Sequence, residues 1–262
     1  MSVTRLFVEA GLSHGADVAL SEAQAHHLRH VLRRADGAEL LLFNGRDGEW
    51  RGTLALQGKK AANAKVGAQA RPQVAEPDLW LCFAPIKRTR IDLIAEKATE
   101  LGASVLQPVL TQHTAVERVN IERLQANARE AAEQTERLSV PEVREPVELM
   151  KLLAGWPAGR RLLMCDETGG GPPIAEALAG LDAAARAAPW AIVVGPEGGF
   201  ASAELDAMRR IKDVMSVGLG PRILRADTAS LAALSVWQAL IGDWRQPTPR
   251  LAADYRTSKA SA

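Results

Sequence analysis

The sequence predicts an α/β protein in two parts: a small β-rich N-terminal domain, then a larger domain with a mostly parallel sheet covered by helices. Three observations carry this. Over residues 1–70, short apolar or alternating runs are broken by turn residues, the pattern of closely spaced strands. From residue 79 onward, apolar strand-like runs alternate with helical stretches, which is how a helix-covered parallel sheet reads. Between them, Ala70-Arg71-Pro72-Gln73-Val74-Ala75-Glu76-Pro77 sets two prolines in a polar context, where a linker belongs. The 262 residues suit one large or two modest domains. The expected division is 1–72, 73–246 and a frayed polar tail at 247–262.

In the first part the strand runs are TRLFVE, DVALS, ELLLFNG, WRGTLALQ and AKVGA. Asn44-Gly45-Arg46-Asp47-Gly48, between two of them, is hairpin-turn chemistry, since Asn and Gly tolerate positive φ. A single helix at about 22–34 is predicted from Ala25, Leu28, Val31 and Leu32 at helical spacing, with Gly37 beyond its end. Of the adjacent His26 and His27, one is expected in the core and one at the surface, which makes a poor metal pair. A small barrel would close these strands without exposed edges.

In the second part the strand runs are LWLCFAPI, SVLQPVL, RLLMCD, WAIVVG and VMSVGLG. A helix at about 90–101 aligns Ile91, Ile94, Ala95, Ala98 and Leu101, with Thr89 and Asp92 as a capping box and Gly102 as its stop. Its Glu96, Lys97 and Glu100 read as a solvated face. Further helices are expected near 121–138, after Ser202 and over 228–244. In the first of these, Glu130, Glu133 and Arg137 would share one side.

With 47% hydrophobic and 24% charged residues, disorder, collagen and coiled coil are excluded. No apolar run approaches the ~18 residues of a membrane span, and the N-terminus lacks the apolar centre of a signal peptide, so a cytoplasmic location is expected. Cys82 and Cys165 lie in apolar runs without CxxC spacing and read as buried thiols. The net charge is +1, but residues 1–72 hold ten Lys/Arg against seven Asp/Glu, or +3, which leaves −2 for the remainder. Any basic partner surface should therefore lie on the N-terminal part.

Two loops stand out for chemistry. Trp190-Ala191-Ile192-Val193-Val194 runs into Gly195-Pro196-Glu197-Gly198-Gly199-Phe200, with Ser202 opening a helix. Ligands of open α/β sheets bind beyond the carboxyl ends of strands, where glycines admit close backbone approach, although a plain strand-to-helix turn reads the same way. The loop is neither a dinucleotide fingerprint nor a P-loop. Val214-Met215-Ser216-Val217 likewise ends in Gly218-Leu219-Gly220-Pro221-Arg222-Ile223-Leu224-Arg225-Ala226-Asp227-Thr228-Ala229, so two glycine loops at neighbouring strand ends suggest one pocket. Asp227 either pairs with Arg222 or Arg225 or helps start the helix; alternatively, Arg225 faces an anionic substrate. No Ser/His/Asp order, Cys nucleophile or carboxylate-rich metal cluster is present in the motifs.

Read in order, Arg5-Leu6-Phe7, His27 with Val31-Leu32-Arg33, Lys87 to Arg90 followed by EKATELG, the EAAEQTER segment ending at Pro141, GPEGGF and LGPRILRADTA resemble the SPOUT-class 16S ribosomal RNA uridine N3-methyltransferases, the RsmE family. The resemblance covers about 1–245. It implies an N-terminal PUA-like β-barrel for RNA and a C-terminal SPOUT-type α/β domain with a trefoil knot, binding S-adenosylmethionine and acting as a homodimer on 16S ribosomal RNA of the small subunit. Periodicity does not reveal a knot. Carried onto this chain, the cofactor pocket would use Leu163, Cys165, Gly195, Glu197, Gly198, Gly199, Leu219, Gly220, Ile223, Leu224, Arg225 and Thr228. The loop after Asp166 would close it from a third side. Arg225 would also be catalytic, and Arg5, His27, Arg33, Arg34, Lys87 and Arg90 would contact RNA; no metal is implied. Two departures stand out. Asp227 replaces the family's Glu with a carboxylate one methylene shorter, and Gln112-His113-Thr114 replaces an acidic-Arg-Ser-like stretch, so no role passes to those three residues.

Overall fold

The structure, a computed structural model, describes residues 3–246 apart from Lys59 and Glu117, and gives the backbone alone for Arg88 and Thr89. The tail expected at 247–262 lies outside the described residues. The chain forms two units, one made by the chain up to Ala75 together with Ala132–Val140, the other by Glu76–Ala131 and Pro141–Gln246.

The first unit contains β1 (Thr4–Phe7), β2 (Asp17–Ala19), α1 (Glu22–His26), β3 (Glu39–Phe43), β4 (Glu49–Gln57) and β5 (Ala61–Arg71). They form one mixed sheet in the order β1-β3-β4-β5-β2, with β1 parallel to β3 and the other pairs antiparallel. The β3–β4 turn is held by Asn44, whose Oδ1 accepts from the amides of Arg46 and Asp47 at 3.0 and 2.9 Å. Among the described residues no ladder joins β1 to β2, so hydrogen bonds alone do not close a barrel. Helix α1 stands in that gap: Gln24 Nε2 donates to the Phe7 carbonyl of β1 at 2.8 Å, and Ala25 shares the core with Leu6 of β1 and Val18 of β2.

Helix α1 begins with a reciprocal cap between Ser21 and Gln24. It runs into a single π-helical turn, His27–Val31, and this widened turn changes the face that the sequence periodicity assigned. Ala25 and Leu28 are fully buried as expected, but Val31 is 60% exposed and Leu32 also meets solvent. His26 and His27 are both exposed, so neither is a core histidine.

Glu49, with no exposed surface, anchors the unit. Its carboxylate accepts from Arg5 Nε at 2.6 Å and from Arg71 Nε and Nη2 at 2.8 and 2.9 Å. Arg5 also donates to the carbonyls of Ala132, Glu133 and Arg137 and lies 4.5 Å over the Phe43 ring. Burial pulls its guanidinium below the ordinary value, against the opposing pull of Glu49. Arg5, expected to contact RNA, is instead an internal strut with a side chain 7% exposed.

The second unit holds β6 (Leu79–Phe83), α2 (Arg88–Glu100), β7 (Val105–Leu110), α3 (Ile121–Gln134) up to Ala131, β8 (Glu142–Val143), β9 (Val147–Glu148) and α4 (Leu149–Ala154). It continues with β10 (Arg161–Cys165), α5 (Ile174–Ala179), α6 (Ala183–Ala187), β11 (Trp190–Val194), α7 (Ser202–Arg209), β12 (Met215–Val217) and α8 (Ala226–Leu240). The sheet runs β12-β10-β11-β6-β7-β8, with β9 on β7, and every pair is parallel. On one face Cys82, Met164 and Val193 pack with Leu149, Leu153, Leu205 and Met208 of α4 and α7. Helix α8 packs on β6 and β11 between α2 and α5. Both faces are covered, so the strands read as continuous apolar runs.

Three local expectations change. Lys87 precedes α2 without a side-chain cap, and Asp92 sits past the first turn, where it binds Arg123 Nε at 2.9 Å and Asn127 Nδ2 at 3.1 Å of α3. Helix α3 stops at Gln134 and Glu136 has φ +60°, so Arg137 does not share a helical side with Glu130 and Glu133. Ala132–Val140, which holds the last turn of α3 and this reversal, belongs to the first unit, where Ala132 and Leu138 pack on Phe43.

Replacing Glu49 by Ala removes the carboxylate shared by two buried guanidinium groups and leaves the outlying Glu136, 3.9 Å from Arg71 Nη1. The expected loss is roughly 3–5 kcal/mol. Urea unfolding measures it, and a midpoint within error of wild type would show that the cluster is not structural.

Candidate ligand cavity at the strand ends

A cavity of about 330 Å³ opens where β11, β10 and β12 end. The three strands are parallel neighbours, with β10 in the middle, so their following loops emerge on one edge. The two glycine loops foreseen in the sequence thus leave strands separated by β10, and the loop after β10 lies between them. Val194, Gly195, Pro196, Glu197 and Gly199 form one wall, Cys165 to Gly169 the second, and Gly218 to Leu224 the third, with Ala226 and Ala229 of α8 beneath.

The second and third walls run side by side. The Gly218 amide donates to the Pro172 carbonyl at 2.9 Å, and the Ile174 amide donates to the Gly218 carbonyl at 3.1 Å. Gly171 lies so close to Ser216 that a Cβ there would strike the Ser216 carbonyl. The amides of Leu219, Gly220, Arg222, Ile223 and Leu224 donate to no protein group among the described residues. A concave rim of free backbone donors suits a ligand with several hydrogen-bond acceptors.

Asp166 holds the second wall. Its side chain is fully buried and accepts from the Thr168 amide and hydroxyl at 2.9 and 2.6 Å and from Ser216 Oγ at 3.1 Å, with Arg209 3.5 Å away. Burial pushes its carboxyl up, but the Thr168 and Ser216 hydrogen bonds and Arg209 outweigh that and hold it below 3.8. The thiol of Cys165, at the cavity floor, is pushed up to about 12 by burial, with the Glu167 charge adding to the effect, so it is no nucleophile at neutral pH.

Side chains from three segments brace the first wall. Glu204, in the first turn of α7, accepts from the amides of Ala201 and Gln112, both at 2.9 Å. His113 Nδ1 lies 3.1 Å from the Gly199 carbonyl. Glu167 Oε1 accepts from the Phe200 amide at 3.0 Å, and the Phe200 ring packs against Gly195. Gly199 has φ +72°, and a Cβ there would run into the Glu167 carboxylate, so both backbone conformation and space favour glycine.

Of the residues assigned to the pocket, Cys165, Gly195, Glu197, Gly199, Leu219, Gly220, Ile223 and Leu224 line this cavity. Leu163 is fully buried inside β10, and Gly198 sits behind the wall, where a Cβ would be 3.2 Å from His113 Cβ. Arg225 and Thr228 are exposed at the start of α8, outside the lining. Asp227 pairs not with Arg222 or Arg225 but with Arg90 Nη1 at 3.1 Å, and its Oδ1 accepts from the Thr228 amide at 2.8 Å. This engages Arg90, one of the residues assigned to RNA, within the protein. Lys87, Arg33 and His27 are exposed, and Arg34 Nε donates to Thr4 Oγ1 at 2.9 Å. Asp166 and Glu167 entered from the sequence only through the loop expected to close the pocket, His113 only as a departure given no role, and Ser216 only as part of a strand run; Glu204 was not named. Glu204 carried a local signal, a Glu at the third position of a helix.

The chain matches the RNA methyltransferase domain family over residues 74–238 and the RNA methyltransferase PUA domain family over residues 20–67. It is 30% identical over 236 residues to ribosomal RNA small subunit methyltransferase E of Rickettsia conorii, covering 90% of this chain and 95% of that protein. It is 32% identical over 228 residues to the protein of that name from Synechocystis, covering 86% and 74%. Among solved structures, ribosomal RNA small subunit methyltransferase E from Neisseria gonorrhoeae bound to S-adenosyl methionine superposes with a TM-score of 0.81 at 27% identity. That likeness covers 93% of this chain and 100% of the other.

Asp166 gives the second wall a pH signature. A carboxyl depressed in the fold stabilises it above its ordinary value and ceases to as pH falls through the folded value. The stability gap between wild type and Asp166→Asn should therefore be constant near neutrality and shrink below pH 3.8. Urea midpoints from neutral pH downward read it, and a gap that stays flat into strong acid contradicts the assigned charge.

Proposed function

Because the chain belongs to the ribosomal RNA small subunit methyltransferase E family, we propose that it methylates N3 of a specific uridine in 16S ribosomal RNA, using S-adenosylmethionine and working in the cytoplasm as a homodimer. The observation that carries this reading is the cavity itself: three loops at adjacent parallel strand ends, with five backbone amides of its lining that donate to no protein group among the described residues. Its size lies within the ordinary range for small-molecule pockets, and its acceptor-seeking rim suits an adenine ring and an amino-acid carboxylate. The residues therefore fit the cofactor. Bound there, S-adenosylmethionine supplies a methyl group on a positively charged sulfur, whose loss leaves a neutral thioether.

The chain's own residues then have three tasks. The braced glycine loops hold the donor rigidly, which supplies rate through alignment of the reacting atoms. Arg222, exposed in the cavity lining, and Arg225, exposed beside it, face the RNA. Arg225 there favours loss of the N3 proton to water by stabilising negative charge on the uracil oxygens. N3 lies on the Watson–Crick edge, so the base enters unpaired or flipped. Arg33 and His27 of the first unit are exposed for RNA contact, and so, separately, is Lys87 of the second, while Arg34 is held by Thr4 and Arg5 and Arg90 serve internal ion pairs.

An N3 methyl removes the pairing N–H, so primer extension on methylated ribosomal RNA should stop at one uridine, with normal alkaline cleavage on its 3′ side. Read-through combined with alkali resistance would mean ribose methylation and overturn the assignment. Gly199→Ala should weaken S-adenosylmethionine binding on the order of tenfold or more, about 1.4 kcal/mol, by displacing the braced wall. Calorimetry decides this, and unchanged affinity would place the cofactor elsewhere. Arg33→Ala should lower the slope of log affinity against log salt for RNA by up to about 0.7–0.9, the value for one phosphate contact. An unaltered slope would remove Arg33 from the RNA surface.

A further inference from the structure

We propose that Glu167 and Glu197 make the cavity charge-selective, so that it holds a cationic sulfonium ligand more firmly than the neutral thioether left after transfer. The inference rests on the cofactor reading above. The lining carries three carboxylates, Asp166, Glu167 and Glu197, against one guanidinium, Arg222. Asp166 is neutralised in place by Arg209 and three hydrogen bonds. The other two carboxylates are not. Glu167 uses Oε1 for the Phe200 amide at 3.0 Å and forms no ion pair among the described residues. Glu197 makes neither a hydrogen bond nor an ion pair there.

Both residues are exposed in the cavity lining, so their charges are screened there chiefly by water. A bound ligand displaces part of that water and lowers the local dielectric, so the charge on the ligand is felt more strongly than in solution. A sulfonium gains that attraction. When the methyl moves from sulfur to N3, the sulfur keeps the bonding electron pair, its positive charge disappears and the attraction ends, which favours release of the spent cofactor. Glu167 combines this with its hold on Phe200, so it both braces the glycine loop and senses ligand charge.

The two roles separate by substitution. Glu167→Gln keeps an oxygen acceptor for the Phe200 amide and removes the charge, whereas Glu167→Ala removes both. Calorimetric titration of the full chain with S-adenosylmethionine, S-adenosylhomocysteine and sinefungin, in which an ammonium stands where the sulfonium was, reads the outcome. In Glu167→Gln and in Glu197→Gln the two cationic ligands should each bind several-fold more weakly, with S-adenosylhomocysteine unchanged. Glu167→Ala should weaken all three. Rising salt should weaken the cationic ligands alone in wild type. Equal losses for all three ligands in the Gln variants, or no loss, would overturn the charge role while leaving the cavity assignment intact. Failure of all three to bind wild type would remove the cofactor reading and this inference with it.

Discussion

The parallel register of β11, β10 and β12 is the constraint on which the rest of the second unit depends. Met164 lies opposite Val193 on one side and Ser216 on the other, so the three strands end within about a residue of one another. Parallel strands send their following loops to the same edge, and there the loops beginning at Gly195, Asp166 and Gly218 meet. A one-residue slip of β10 would turn Met164 out of its core face and withdraw Asp166 from Thr168 and Ser216.

Loops rich in glycine are good at approaching a ligand and poor at holding still. Here stiffness comes from outside them. Glu204 ties the start of α7 to Gln112, Glu167 ties the second wall to Phe200, and His113 reaches the Gly199 carbonyl. The wall beside the cavity is thereby positioned from two distant stretches of sequence, at 112–113 and at 167, and by Glu204 just beyond it. Each leaves the backbone groups of the neighbouring third wall free for binding.

In the first unit the same logic appears with opposite electrostatics. Glu49 draws Arg5 and Arg71 inward, and Arg5 gathers the carbonyls of Ala132, Glu133 and Arg137. Two of the ten basic residues of 1–72 thus serve the interior, and the positive charge available to a partner is smaller than composition indicates. What remains is concentrated in groups such as Arg33, whose φ of +50° follows directly on the π-helical turn.

The sequence alone determined the two-part α/β organisation, the main strands and helices, and the two glycine loops. These depend on local composition and period, such as the unbroken apolar run of β11 or the Asn44–Gly48 turn, and local signals survive without knowledge of the fold. Family resemblance added the cofactor and the expectation of a knot, because no period marks the threading of a chain through its own loops. The tertiary structure decided the rest. Asp92 left its expected cap for Arg123, Arg90 took Asp227 as partner, Arg5 turned inward, and of the stretch that carried no role Gln112 met Glu204 and His113 met the Gly199 carbonyl. In every such case the partner lies more than 30 residues away in the chain, and a side chain's partner at that separation is set by strand order and packing, which spacing does not encode.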